Sequence, residues 1–285
     1  MRVDLLAGTT DTARGPVSGR PPRVGVFDSG MGGLTVHSEI ATQMAGSELV
    51  YIGDTEVFPY GRLAEKALVQ RVSLVMDQFI RGYAPDIVCI ACNTASTLAL
   101  PVLRARHDIP FVGTVPAIKP AVALSKTRRI SVLATMGTVA RDYTHELVAA
   151  HAQDCEVNLV GSKGLASLAE AVLRGETIRD EDVLAEIAPA FVGEGDSRTD
   201  VIVLACTHYP LILDRLTALA PWPVNWIDPA PAIARRVAAL VGPYETGLPV
   251  SVPRALFTQR NSLPIPLLGA LSARGFGQVG LEAIG

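Results

Sequence analysis

The chain has 285 residues, of which 49% are hydrophobic and 19% charged, with a formal net charge of −3. That is roughly two domains' worth of chain with enough apolar material to fold, which excludes a disordered protein. With no long block of like charge and no apolar run reaching about 18 residues, it is neither a nucleic-acid binder nor a membrane-surface or membrane-spanning protein.

The first 22 residues, ending Gly-Pro-Val-Ser-Gly-Arg-Pro-Pro, are rich in Gly, Pro and Arg and lack the apolar centre of a secretory signal. They read as a flexible extension. Four cysteines in a chain this long make no disulfide framework, so a soluble cytoplasmic protein is expected.

From Arg23 onward, short β-branched runs alternate with Ala- and Leu-rich stretches. Arg23–Phe27 reads as a buried strand, followed by the glycine-rich turn Asp28-Ser-Gly-Met-Gly-Gly33 and a helix from Leu34 to Ala45. Leu49–Ile52 is a second strand, Ala64–Arg81 a helix, Asp86–Ala91 a third strand and Thr94–Arg106 a helix. Continuous apolar strands between helices are those of a parallel sheet covered on both faces, so the fold class is α/β.

The chain also repeats itself. Asp86-Ile-Val-Cys-Ile-Ala-Cys92-Asn-Thr aligns without a gap on Asp200-Val-Ile-Val-Leu-Ala-Cys206-Thr-His. A weaker echo pairs Arg23-Val-Gly-Val-Phe-Asp28-Ser29 with Arg129-Ile-Ser-Val-Leu-Ala134-Thr135. Two similar parallel strands would explain the apolar letters. They would not explain two cysteines in one register beside Asn-Thr and Thr-His, so two pseudo-symmetric halves are expected.

Ligands of open parallel sheets bind beyond the carboxyl ends of the strands. There fall Asp28-Ser29, Pro59-Tyr60-Gly61, Cys92-Asn93-Thr94, Thr135 with Thr138, and Cys206-Thr207-His208. A helix starting just after each cysteine would offer free N–H groups to a carboxylate and lower the thiol's pKa below its usual ~8.5. Two acid/base groups on opposite faces of one carbon are what inversion of a stereocentre needs. Asp28 can serve Cys92. Its counterpart in the repeat is Ala134, which leaves His208 to serve Cys206.

The cysteines admit other uses. Cys89-Ile-Ala-Cys92 is formally a C-x-x-C, but an offset of three on a strand points the two side chains to opposite faces. Cys92, Cys206 and His208 lack the close ligand pair of a structural zinc site. Cys206 as a covalent nucleophile with His208 as base remains open, although it leaves Cys92 without a role. Cys89 and Cys155 read as structural thiols. The glycines at 30, 32 and 33 do not fit the G-x-G-x-x-G dinucleotide fingerprint.

Four stretches together resemble the glutamate racemases: Val-Gly-Val-Phe-Asp28-Ser-Gly-Met-Gly-Gly-Leu-Thr, Pro59-Tyr60-Gly61, Ala-Cys92-Asn-Thr-Ala-Ser and Ala-Cys206-Thr-His-Tyr-Pro. The resemblance runs from about Arg23 to the C-terminus. It implies two pseudo-symmetric α/β domains with the active site in the cleft between them, and a two-base reaction without cofactor or metal. It also implies supply of D-glutamate for peptidoglycan, hence a part in cell wall biogenesis and cell shape.

Motif by motif, Cys92 would act on D-glutamate with Asp28, and Cys206 on L-glutamate with His208. Glutamate would be held by Asp28, Ser29, Tyr60, Gly61, Asn93, Thr94, Thr135, Thr138, Thr207 and His208. Glu170, in Leu165-Ala-Ser-Leu-Ala-Glu170, matches a further carboxylate on the second-cysteine side, with the solvated face of a helix as its alternative. Thr114-Val-Pro-Ala-Ile-Lys-Pro120 and Arg141-Asp-Tyr-Thr-His-Glu-Leu147 resemble the proteobacterial branch. Some members there carry an N-terminal extension and are activated by a UDP-linked muramoyl-alanine precursor. A homodimer is also an expectation, though no motif assigns its surface.

The resemblance also implies that the chain crosses between domains twice, at Gly113–Pro120 and Pro221–Pro229, where prolines cluster. That puts 23–115 plus 227–285 in one domain and 116–226 in the other. Aspartate or hydantoin racemases of the same superfamily are the alternative substrate classes.

Overall fold

The computed structural model describes residues 19–259 and 261–282, so the expected extension falls outside the described residues as far as residue 18. Its last part is held in place. Pro21 and Pro22 are buried, Arg20 pairs with Asp86 at 2.6 Å, and Glu48 N donates to the Pro22 carbonyl.

Two compact units form, one running to Thr114 and resuming at Ala230, the other Val115–Pro229. The first opens with β1 (Arg23–Asp28), α1 (Leu34–Gln43), β2 (Glu48–Gly53), α2 (Glu65–Tyr83), β3 (Ile87–Ile90), α3 (Asn93–Arg106) and β4 (Phe111–Gly113). In the second lie α4 (Ile118–Leu124), β5 (Arg129–Thr135), α5 (Met136–Val139), α6 (Asp142–His151), β6 (Glu156–Ser162), α7 (Leu165–Leu173) and α8 (Asp180–Ile187), then β7 (Val201–Ala205), α9 (Leu213–Leu219) and β8 (Asn225–Ile227). The chain then returns with α10 (Ala230–Val241), β9 (Arg254–Phe257), α11 (Ile265–Ser272) and β10 (Gln278–Leu281) to complete the first unit.

Every strand pairing in both sheets is parallel: β10-β9-β2-β1-β3-β4 in one unit and β6-β5-β7-β8 in the other. Within each, the first four strands of the unit follow the spatial order second, first, third, fourth. The two echoes in the sequence therefore fall on equivalent strands, β1 with β5 and β3 with β7. The aspartates that open the repeat also do the same work. Asp86 accepts from Arg23 N at 2.8 Å, and Asp200 from Lys126 N at 2.6 Å and Thr127 N at 3.1 Å. Each carboxylate ties the third strand of its unit to the start of the first.

The strands are covered on both faces, as their uninterrupted apolar letters require. Along β7 and the residue after it, Ile202, Leu204 and Cys206 join one core cluster while Val201, Val203 and Ala205 join the other. In the first unit, Gly25 lets the Phe79 ring of α2 lie directly on β1, where a Cβ would come within 2.5 Å of it.

His37 of α1 is buried, stacked on Phe276 at 4.3 Å and edge-on to Tyr51 at 6.3 Å, and neither ring nitrogen is hydrogen-bonded. Burial lowers its pKa from 6.5 to about 4, so it folds as the neutral imidazole. As pH falls below 6.5 the unfolded chain binds a proton that the folded chain refuses, so stability is lost down to about pH 4 and levels off below. The loss amounts to about 3 kcal/mol. Melting temperature should therefore fall more steeply across that window in the wild type than in His37→Leu; parallel curves would acquit His37.

Candidate active site

The order of each sheet reverses beside its first strand, and the crevice at such a point is where ligands of open α/β sheets bind. In the first unit β1 ends in Asp28, and its neighbour β3 runs straight into Cys92. Asp28 is fully buried and accepts from Gly30 N at 2.9 Å, which curls the loop and presents Ser29. The Cys92 thiol, 5% exposed, points to Ser29 Oγ at 3.5 Å. Cys92 is the N-cap of the 14-residue α3, whose first turn carries N–H groups with no partner inside the helix, although none of them bonds the Cys92 side chain. Asn93 and Thr94 open that helix. Both are buried, and neither the amide nitrogen nor the amide oxygen of Asn93 has a hydrogen-bond partner.

In the second unit the equivalent position is Cys206, 6% exposed and one residue past β7. His208 Nδ1 lies 3.8 Å from its sulfur, while His208 Nε2 meets Glu170 Oε1 at 2.9 Å. A carboxylate that accepts from Nε2–H fixes the ring proton there and leaves the bare Nδ1 toward the thiol. Glu170 is itself 2% exposed and also bonds Arg174 at 3.3 Å, so it does not sit on a solvated helix face. Thr207 is buried between Cys206 and His208.

The helix expected just after Cys206 does not start there. A 3₁₀ turn, Tyr209–Ile212, intervenes before the seven-residue α9, because Pro210 and the closure of Tyr209 N onto the Cys206 carbonyl tighten the chain there. The two sulfurs therefore sit in different backbone settings. Thr135 and Thr138 bond each other at 3.0 Å, and Thr135 caps the short α5 by accepting from Thr138 N. They stand one strand over from Cys206, beyond the Ala134–Ala205 pairing.

Residues 38–237 match the family model described as Asp/Glu/Hydantoin racemase. The glutamate racemase of Brucella ovis is 53% identical over 217 residues, 76% of this chain and 78% of its own. The chain belongs to this racemase family, and within it to the glutamate racemases. The Agrobacterium fabrum glutamate racemase is 50% identical over 82% of this chain and 86% of its own. Escherichia coli glutamate racemase, crystallised with L-glutamate and the activator UDP-MurNAc-Ala, matches with a TM-score of 0.85 at 37% identity, over 93% of this chain and 99% of that one.

The racemase also holds a buried polar group outside the sequence motifs. Asp54, just past β2, is fully buried and accepts from Tyr60 Oη at 2.5 Å, Thr258 Oγ1 at 2.6 Å and Arg71 at 2.6 and 2.9 Å. Burial first, and then the Asp54 carboxylate, push the Tyr60 phenol well above its ordinary range, so it stays a donor. Gly61 follows in the same short turn. Asp54 draws its partners from α2 and from the chain after β9, and no local spacing announces such a group. Among the described residues no cluster of three or more His, Cys, Asp or Glu is placed to hold a metal ion, and no helix is long and apolar enough to cross a membrane.

Proposed function

We propose that the chain interconverts L- and D-glutamate with Cys92 and Cys206 as its two bases and no cofactor. One observation carries this reading: each unit ends its equivalent strand in a buried cysteine with its own polar helper. In the reaction one thiolate takes the α-proton from one face of the carbon, and the other thiol returns a proton to the opposite face. The two sulfurs finish with exchanged protonation states.

Cys92, with Asp28, acts on D-glutamate; Cys206, with His208 oriented by Glu170, acts on L-glutamate. The uncommitted amide of Asn93 and the first-turn N–H groups of α3 suit the substrate's carboxylate, alongside Ser29, Tyr60, Gly61, Thr94 and Thr207. The product serves peptidoglycan synthesis, and the proposal includes a cytoplasmic location. The Escherichia coli relative bound to L-glutamate and UDP-MurNAc-Ala supports both the substrate and activation by a UDP-linked muramoyl-alanine precursor.

The test is incubation with L-glutamate in D2O, with chiral separation and mass analysis. D-glutamate carrying one α-deuterium, formed without added pyridoxal phosphate or metal, is expected. Absence of both inversion and exchange, with and without the precursor, would overturn the reading. A rate unchanged by the precursor would overturn the activation alone.

A further inference from the structure

A tyrosine stands near each cysteine, and the two are not equivalent. Tyr60 feels the charge of Cys92, yet its hydroxyl is already spent on Asp54 at 2.5 Å. Tyr209 is also fully buried, with its ring in the same core cluster as Cys206, Leu165 and Ala169. Its backbone N–H donates to the Cys206 carbonyl at 3.1 Å, which holds the two residues in one tight turn. Its hydroxyl, however, has no hydrogen bond of ordinary geometry among the described residues. A buried hydroxyl left without a partner calls for a reason.

The groups around it narrow the choice. Burial first, and then the Cys206 sulfur, hold the phenol well above its ordinary range, with Ser162 and Glu186 as the other groups acting on it. Ser162, closing β6, already accepts from Leu165 N at 3.0 Å and gives its proton to Glu186 of α8 at 2.7 Å. Glu170 of α7 is taken up by His208 and Arg174. Ser162 Oγ keeps one lone pair, so it and the Cys206 sulfur are the acceptors within this group, and an ionised thiolate takes a hydrogen bond far better than a neutral hydroxyl.

We infer that Tyr209 is a positioning residue for the second base, its phenol donating to the ionised Cys206 sulfur and so favouring the thiolate. His208 Nδ1 then takes the proton from one side while Tyr209 steadies the charge from the other. Cys92 has no such donor in Tyr60, and relies on the α3 N-terminus and Ser29. This rests on Cys206 being a proton-transfer base, but its test does not use glutamate.

The experiment is pH-dependent alkylation of the full-length protein by iodoacetamide, with each cysteine followed by peptide mass mapping. Tyr209→Phe should slow alkylation of Cys206 about tenfold at pH 7, the size of a one-unit shift in ionisation, with the rates converging at high pH. Cys92 in the same molecules should be unmoved. Replacing Tyr209 with 3-fluorotyrosine, a stronger donor of nearly the same size, should speed Cys206 at pH 7, and it answers the question even if the Phe variant fails to fold. An unchanged Cys206 rate in both variants would assign the phenol to Ser162 and overturn the inference. Parallel changes at both cysteines would also overturn it, since they report loosening of the fold. Failure of the wild type to turn over glutamate would strike the proposed function and leave these rates as they are.

Discussion

Cys92→Ala and Cys206→Ala should each lower racemisation by at least about 10³-fold, because neither variant can both remove and return a proton across the α-carbon. The residual chemistry is the sharper readout. With Cys206 alone, L-glutamate should still exchange its α-hydrogen for deuterium without inverting, while D-glutamate stays unlabelled. With Cys92 alone the pattern should reverse. Both cysteines are buried at strand ends, so trimming a sulfur costs roughly 1 kcal/mol of stability and leaves a folded protein. Full racemisation by either variant would sink the two-base mechanism. A nucleophilic Cys206 predicts something different: an acyl-enzyme on Cys206, and full activity without Cys92.

Gly53→Ala should cost about 100-fold in kcat/KM although Gly53 bears no side chain. A Cβ there would lie 2.3 Å from the Gly30 carbonyl oxygen and 3.0 Å from the Phe257 ring. The carbonyl cannot simply retreat. It accepts from Tyr51 Oη at 2.7 Å, and Gly30 N is bound to the Asp28 carboxylate at 2.9 Å. Relief must therefore move the Asp28–Gly30 loop, and with it Ser29, which faces the Cys92 sulfur at 3.5 Å. A displacement of about 1 Å in such a group is worth about 10² in rate, and overpacking costs about 1–3 kcal/mol in stability. Gly82→Ala is the control, since a Cβ there meets nothing within 4 Å, and activity should be unchanged. Wild-type kinetics in Gly53→Ala would show that the loop tolerates the shift.

Much of this was legible because it is local. Short uninterrupted apolar runs between helical stretches announced buried parallel strands, and the Asp-to-Cys spacing announced that two of them were equivalent. Cys92 and Cys206 could be picked out because the repeat placed them at strand ends, where parallel sheets bind ligands. The resemblance added the racemase family, which the match to known glutamate racemases established.

Sequence by itself thus determined the α/β class, the repeated halves and the pair of cysteines, since each is written in neighbouring residues. Tertiary structure alone decided the rest. The return of α10, β9, α11 and β10 to the first unit is a matter of which sheet edge they meet. Burial of Glu170 against His208, 38 residues away, depends on α7 packing against the Tyr209–Ile212 turn that follows β7. The binding of Asp54 by Tyr60, Arg71 and Thr258, the last 204 residues distant, depends on β9 lying beside β2. The orphan hydroxyl of Tyr209 depends on which acceptors its neighbours have already used. A side chain's letter states what it can donate or accept; only packing states which partners come within about 3 Å of it.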